Sequence, residues 1–137
     1  GQYLVTTSFQ GQVTTTDLTT QRVVWSEDAS STNSAEVSGD KVFVSTADGK
    51  LKAYNLATGE LLWQNEELLN RQLSNPVMLG QNLVVGDLDG VIHLIDPNTG
   101  KLIGRAKTSG EVRSLRVIDN QLYVTTRKGA LSIWQNR

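Results

Sequence analysis

Short runs of β-branched and apolar residues recur along the whole chain, and each gives way to a glycine. Tyr3 to Thr7, Val42 to Thr46, Leu83 to Val85 and Leu122 to Thr126 precede Gly11, Gly49, Gly90 and Gly129. Val13 to Leu18, Leu51 to Leu56, Val91 to Asp96 and Ala130 to Trp134 follow them. Runs of this length and composition, bounded by turn residues, predict strands. Each glycine then marks a tight hairpin, for which Asp48-Gly49 and Asp89-Gly90 supply the positive φ.

The four glycines stand 38, 41 and 39 residues apart, a period that signals a repeat architecture. Ten residues after the first three come Gln21, Gly59 and Gly100, and fourteen after come Trp25, Trp63 and Gly104. A second turn, Ala57-Thr58-Gly59-Glu60 or Pro97-Asn98-Thr99-Gly100, leads to a third strand (Leu61 to Gln64, Leu102 to Arg105). A fourth, near Ala35 to Val37, Pro76 to Leu79 or Val112 to Val117, opens the next copy. Four antiparallel strands in about forty residues make the blade of a β-propeller. The expected fold is therefore all-β, with a partial blade over 1–33, blades over 34–70 and 71–110, and a partial C-terminal blade over 111–137. Rings close at roughly four to eight blades, so the roughly three and a half here read as one segment of a larger ring. Leu68-Leu69 is open to a helical turn between blades.

Charge narrows the partners. The 137 residues carry 13 basic and 14 acidic side chains, a net of -1, which gives no general attraction to nucleic acid or anionic lipid. No apolar run approaches the roughly eighteen residues of a membrane-spanning helix. Gly1 to Val5 already reads as strand, so any export signal is expected outside this chain. With no cysteine there is neither a disulfide framework nor a thiolate metal site, and the compartment stays open.

In the second copy, Ala53-Tyr54-Asn55-Leu56-Ala57-Thr58-Gly59-Glu60-Leu61-Leu62-Trp63 resembles the A-x-D-x-x-T-G-K-x-x-W repeat of pyrroloquinoline-quinone-type propellers, with Asn55 for Asp and Glu60 for Lys. Thr15, Asp17, Thr20 and Trp25, then Leu94, Asp96, Thr99, Gly100 and Lys101, keep parts of it. The resemblance implies that Trp25 and Trp63 dock between neighbouring blades, a contact Gly104 cannot make. Within that class, Leu68 to Val77, Asn82 to Asp87 and His93 are similar to the propeller lipoproteins of the machine that assembles β-barrels into the bacterial outer membrane. This second resemblance covers about Tyr3 to Arg137. It implies an eight-bladed ring and a non-catalytic scaffold at the periplasmic face of the outer membrane, held there by an N-terminal lipid outside this chain. The implied partners are the barrel-shaped central subunit, through its periplasmic domains, and unfolded outer-membrane proteins.

Catalysis has little to work with. His93 is the lone histidine, in a strand with apolar neighbours and no nucleophile elbow nearby, and is expected to be a packed or rim residue. A quinone-dependent enzyme of this repeat class would, by family likeness, use a cysteine pair, and none exists here. Asp87-Leu88-Asp89-Gly90 with Asp96 could suggest a calcium loop, but the run sits where the other copies have a plain hairpin and Val85 occupies the first ligand position. No catalytic, metal or cofactor residue is therefore expected; a ligand-binding or quinoprotein-type propeller is the alternative. Trp134, outside the docking register, is expected to be exposed. Candidate partner-binding residues are Leu68, Leu69, Arg71 and Leu73 in an inter-blade connection, and Arg113 and Arg116, which cluster in sequence with Arg127 and Lys128. Leucines folding onto the blades, and a solvated basic edge, explain the same residues without a partner.

Overall fold

The computed structural model describes residues 2–8, 11–28 and 35–135, and all their regular structure is strand. β1 (Tyr3–Thr7), β2 (Gln12–Asp17) and β3 (Arg22–Asp28) form one antiparallel sheet. β4 (Glu36–Ser38), β5 (Lys41–Ser45), β6 (Leu51–Asn55) and β7 (Leu61–Asn65) form the second. The third holds β8 (Val77–Leu79), β9 (Asn82–Gly86), β10 (Val91–Ile95) and β11 (Leu102–Lys107). β12 (Val112–Ile118), β13 (Gln121–Thr126) and β14 (Leu131–Gln135) make the fourth. The expected all-β propeller of four-stranded antiparallel blades is borne out. Residues 67–70 form a turn without helix. The expected blade boundary between residues 33 and 34 lies outside the described residues, as do Gly1 and residue 137.

The sheets stack through three apolar cores, and the same repeat positions build each. Towards the following sheet point Val5, Val13 and Trp25 in the first, Phe43, Leu51, Ala53 and Trp63 in the second, and Val84, Ile92 and Leu94 in the third. They meet Val42, Val44 and Tyr54, then Leu83, Val85 and Ile95, then Leu122, Val124 and Trp134 on the sheet that follows. Alternation along a strand puts successive side chains on opposite faces, so β5 and β9, buried on both faces, read as unbroken apolar runs.

The outer strands carry a device the alternation pattern hides. Thr15 faces Trp25 and Thr16 faces Val23, Ala53 faces Trp63 and Tyr54 faces Leu61, and Leu94 faces Gly104 and Ile95 faces Leu102. Val24, Leu62 and Ile103 are left over as β-bulges, which bend a strand and re-aim its side chains. Next to the bulge, each tryptophan reaches the following sheet: Trp25 Nε1 donates to Leu56 O at 2.7 Å and Trp63 Nε1 to Pro97 O at 2.7 Å. The rings lie over Gly59 and Gly100, where an added Cβ would sit 2.7 Å and 2.4 Å from ring carbons.

Gly100→Ala is therefore expected to combine two penalties, about 1–2 kcal/mol for a side chain at φ +77° and about 1–3 kcal/mol for overpacking against Trp63. Gly129→Ala, at φ +80° with nothing within 4 Å, carries only the first. Urea melts of the two variants should separate by the overpacking cost; equal losses would show that Trp63 does not use Gly100 as its seat.

Trp134 corrects the expectation of an exposed ring. It lies half-buried against the core between the third and fourth sheets, at the position where Tyr54 meets Trp25. That core needs no tryptophan at position 104. Polar ties add to the stacking: Glu36 Oε2 accepts from Met78 N at 2.7 Å, Asn65 Nδ2 donates to Gly100 O at 2.6 Å, and the Asn75 carboxamide pairs with both backbone groups of Leu115 at 2.9 and 3.1 Å.

Candidate functional site

The hairpins at Gly49, Gly90 and Gly129 close with the same backbone bonds, between Thr46, Asp87 or Thr126 and the residues three and four further on. Thr46 Oγ1 also accepts from Lys50 N at 2.9 Å, and Asp87 Oδ1 accepts from Val91 N at 3.0 Å and Asp89 N at 2.9 Å. In the third blade a carboxylate has replaced the hydroxyl of this cap, and its second oxygen must be satisfied. Oδ2 accepts from His93 Nε2 at 2.8 Å and from Arg71 Nη1 at 3.3 Å. Asp87 is wholly buried, and His93 nearly so.

Burial alone would push the Asp87 carboxyl up. The hydrogen bonds from His93 and from the Val91 and Asp89 backbone outweigh it, and the carboxyl is held below the ordinary aspartate range. With Asp87 ionised, the bond assigns the imidazole proton to Nε2 and leaves Nδ1 buried without a partner. The two oxygens thus engage four protein donors, and neither faces solvent. The arrangement suits a clamp better than a proton-transfer site or a metal site, because each lone-pair direction is already used.

What the clamp holds is the connection between β7 and β8. Asn70 N donates to Asp48 O, Leu88 N to Arg71 O, and Ser74 exchanges bonds with Gly86, so the connection is strapped across the hairpins of two blades. Asn70 and Gln72 adopt φ of 64° and 52°, a left-handed backbone that the bonds of this connection help to hold.

The candidate partner residues separate accordingly. Leu68 and Leu73 belong to the core between the second and third sheets, so the leucines fold onto the blades and do not face a partner. Leu69 stays 41% exposed and Arg71 is half-exposed over Asp87. Arg113 and Arg116 are exposed, but the basic residues do not make one patch. Arg127 pairs with Glu111, while Arg116 stands in register with Tyr123 and Ile133 on the face turned away from the third sheet. Arg113 occupies the irregularity between Val112 and Ser114. The Arg71–Asp87–His93 array escaped sequence reading, although a signal existed: only this repeat replaces the hydroxyl three residues before the hairpin glycine.

The whole chain, residues 1–137, matches the family model described as outer membrane protein assembly factor BamB. The chain belongs to the BamB family. The BamB of Shewanella oneidensis is 33% identical over 135 residues, and that of Pseudomonas aeruginosa 33% over 134. These alignments cover 97% and 96% of this chain but 34% and 35% of the two relatives, so the chain spans about a third of their length. The crystal structure of BamB from Moraxella catarrhalis superposes with a TM-score of 0.94 at 40% identity, covering 98% of this chain and 40% of that one. The BamB likeness and the blade geometry agree on the same fold.

Proposed function

We propose that this chain serves, as part of a BamB-type propeller, in a non-catalytic scaffold that binds partner proteins during β-barrel assembly at the periplasmic face of the outer membrane. The observation that carries the reading is the family match across the full chain. The physical properties of the chain support it. Three apolar cores make a stiff body, and the titratable groups most removed from solvent are turned on one another. Neither His93 nor Asp87 favours the quinoprotein-type alternative. Leu69 and Arg71, presented by the strapped connection, and Arg113 are the residues we assign to contact with the barrel-shaped central subunit; a rigid body carrying loops is the usual arrangement for such contacts.

A chimera tests this: the matching third of Pseudomonas aeruginosa BamB is replaced by this chain in a strain lacking its own copy. Outer-membrane β-barrel proteins are expected at their normal level. A chimera that accumulates folded yet leaves those proteins at the level of the deletion strain overturns the reading.

A further inference from the structure

Antiparallel order puts the β4–β5, β8–β9 and β10–β11 turns at one end of the blades and the Arg71–Asp87–His93 array at the other. At the first end, a groove of about 480 Å³ opens where the second and third sheets meet. Met78 forms part of its wall together with Gln81 and Asn82 of the β8–β9 turn, Asn98 of the β10–β11 turn, and Ile103 at the β11 bulge.

The walls are fixed before anything binds. The β10–β11 turn is held from the second sheet by Trp63 Nε1 on Pro97 O and Asn65 Nδ2 on Gly100 O, and Met78 N is tied to Glu36. A pre-ordered wall removes much of the entropy cost of binding. The chemistry is equally specific. The carboxamides of Gln81, Asn82 and Asn98 have no side-chain partner among the described residues, and each offers both a donor and an acceptor, the pairing a peptide group presents. Met78 is half-buried and Ile103 is 54% exposed, so an adaptable thioether and a branched chain flank the amides. Among the described residues no cation lines the groove and the lone carboxylate is Asp96, one oxygen of which accepts from Asn98 N at 2.8 Å.

We infer that this groove is a docking site for an extended, uncharged or basic polypeptide segment, which pairs its backbone with the carboxamides and sets an apolar side chain between Met78 and Ile103. Anionic ligands meet only Asp96 and are rejected. A neutral oligosaccharide fits less well, because no aromatic ring is present for a sugar face to stack on. The inference goes beyond the assembly reading: it names a second surface, on the opposite end from Leu69 and Arg71.

The test is a nuclear magnetic resonance titration of the whole chain with a short blocked peptide alternating threonine and valine around a central lysine. Saturable shifts are expected at the Gln81, Asn82 and Asn98 side-chain amides. Ile103→Ser, at an exposed position where the remaining spectrum should stay intact, removes the apolar wall without adding a charge and should weaken binding at least about tenfold, as should glutamate in place of the peptide's valines. The inference is overturned by absent or non-saturating shifts, by shifts confined to the Arg71 end, by equal affinity for the glutamate peptide or for a neutral oligosaccharide, or by Ile103→Ser binding as well as wild type. Because this measurement needs no assembly machine, its failure and that of the chimera are told apart.

Discussion

Replacing Trp63 with alanine should destabilise the protein by about 3–5 kcal/mol, one of the two largest effects expected of any single change. Its ring contacts Phe43 with centroids 6.0 Å apart, packs on Gly100, and gives its N–H to Pro97 O on the next sheet. Truncation empties that seat and strands a carbonyl. Trp134→Ala should cost clearly less: both rings are half-buried, but the Trp134 N–H stays within its own strand, on Ser132 Oγ at 3.0 Å, so its loss breaks no tie to another sheet. Denaturant melts decide: equal losses, or a greater one at Trp134, would mean that the inter-sheet seat is not where the stacking energy lies. Since each core belongs to two sheets, the loss at Trp63 should appear as cooperative loosening of both central sheets.

Asp87→Asn should cost a comparable amount, about 3–5 kcal/mol, because removing one partner leaves Arg71 and His93 facing a buried group that no longer balances them. The pH dependence carries its own signature. The folded carboxyl titrates below its unfolded value, so its contribution is fully present above the unfolded pKa and is lost as pH falls through the folded one. The stability gap between wild type and Asp87→Asn is thus expected to be widest near neutrality and to close below about pH 4. A gap that stays constant from neutral to strongly acid pH would contradict an ionised, clamped carboxylate.

Much of the fold was legible because it is written four times. The hairpin glycines, the strand runs around them and the Thr58-Gly59 and Thr99-Gly100 turns all obey one period, so each copy supports the others. The bulges at Val24, Leu62 and Ile103 were not read, although paired apolar residues before each tryptophan position break the alternation in the same way three times. Trp134 was misjudged because its register was compared with the docking tryptophans, when its structural counterpart is Tyr54. The candidate site was harder still. Leu68 and Leu69 are adjacent and identical, yet one is in the core and the other at the surface, a difference set by how the connection is strapped. The contact of Asp87 with Arg71 joins residues from different elements, and nothing in the local pattern of either announces it.

The tryptophan seat has a consequence for how such a chain finds its order. What receives each ring is a main-chain carbonyl and a glycine, features that successive copies share, so Trp25 would fit the turn at Gly100 as well as the one at Gly59. A seat made of backbone grips every blade and recognises none. Skipped or transposed blades during folding must therefore be penalised by whatever is unique to one junction. Among the described residues, Glu36 with Met78 and Asn75 with Leu115 each occur once, and each leaves a polar group without its partner when the wrong neighbour arrives. These pairs serve as addresses, and exchanging them between junctions should scramble blade order while leaving the stacking of any two blades intact.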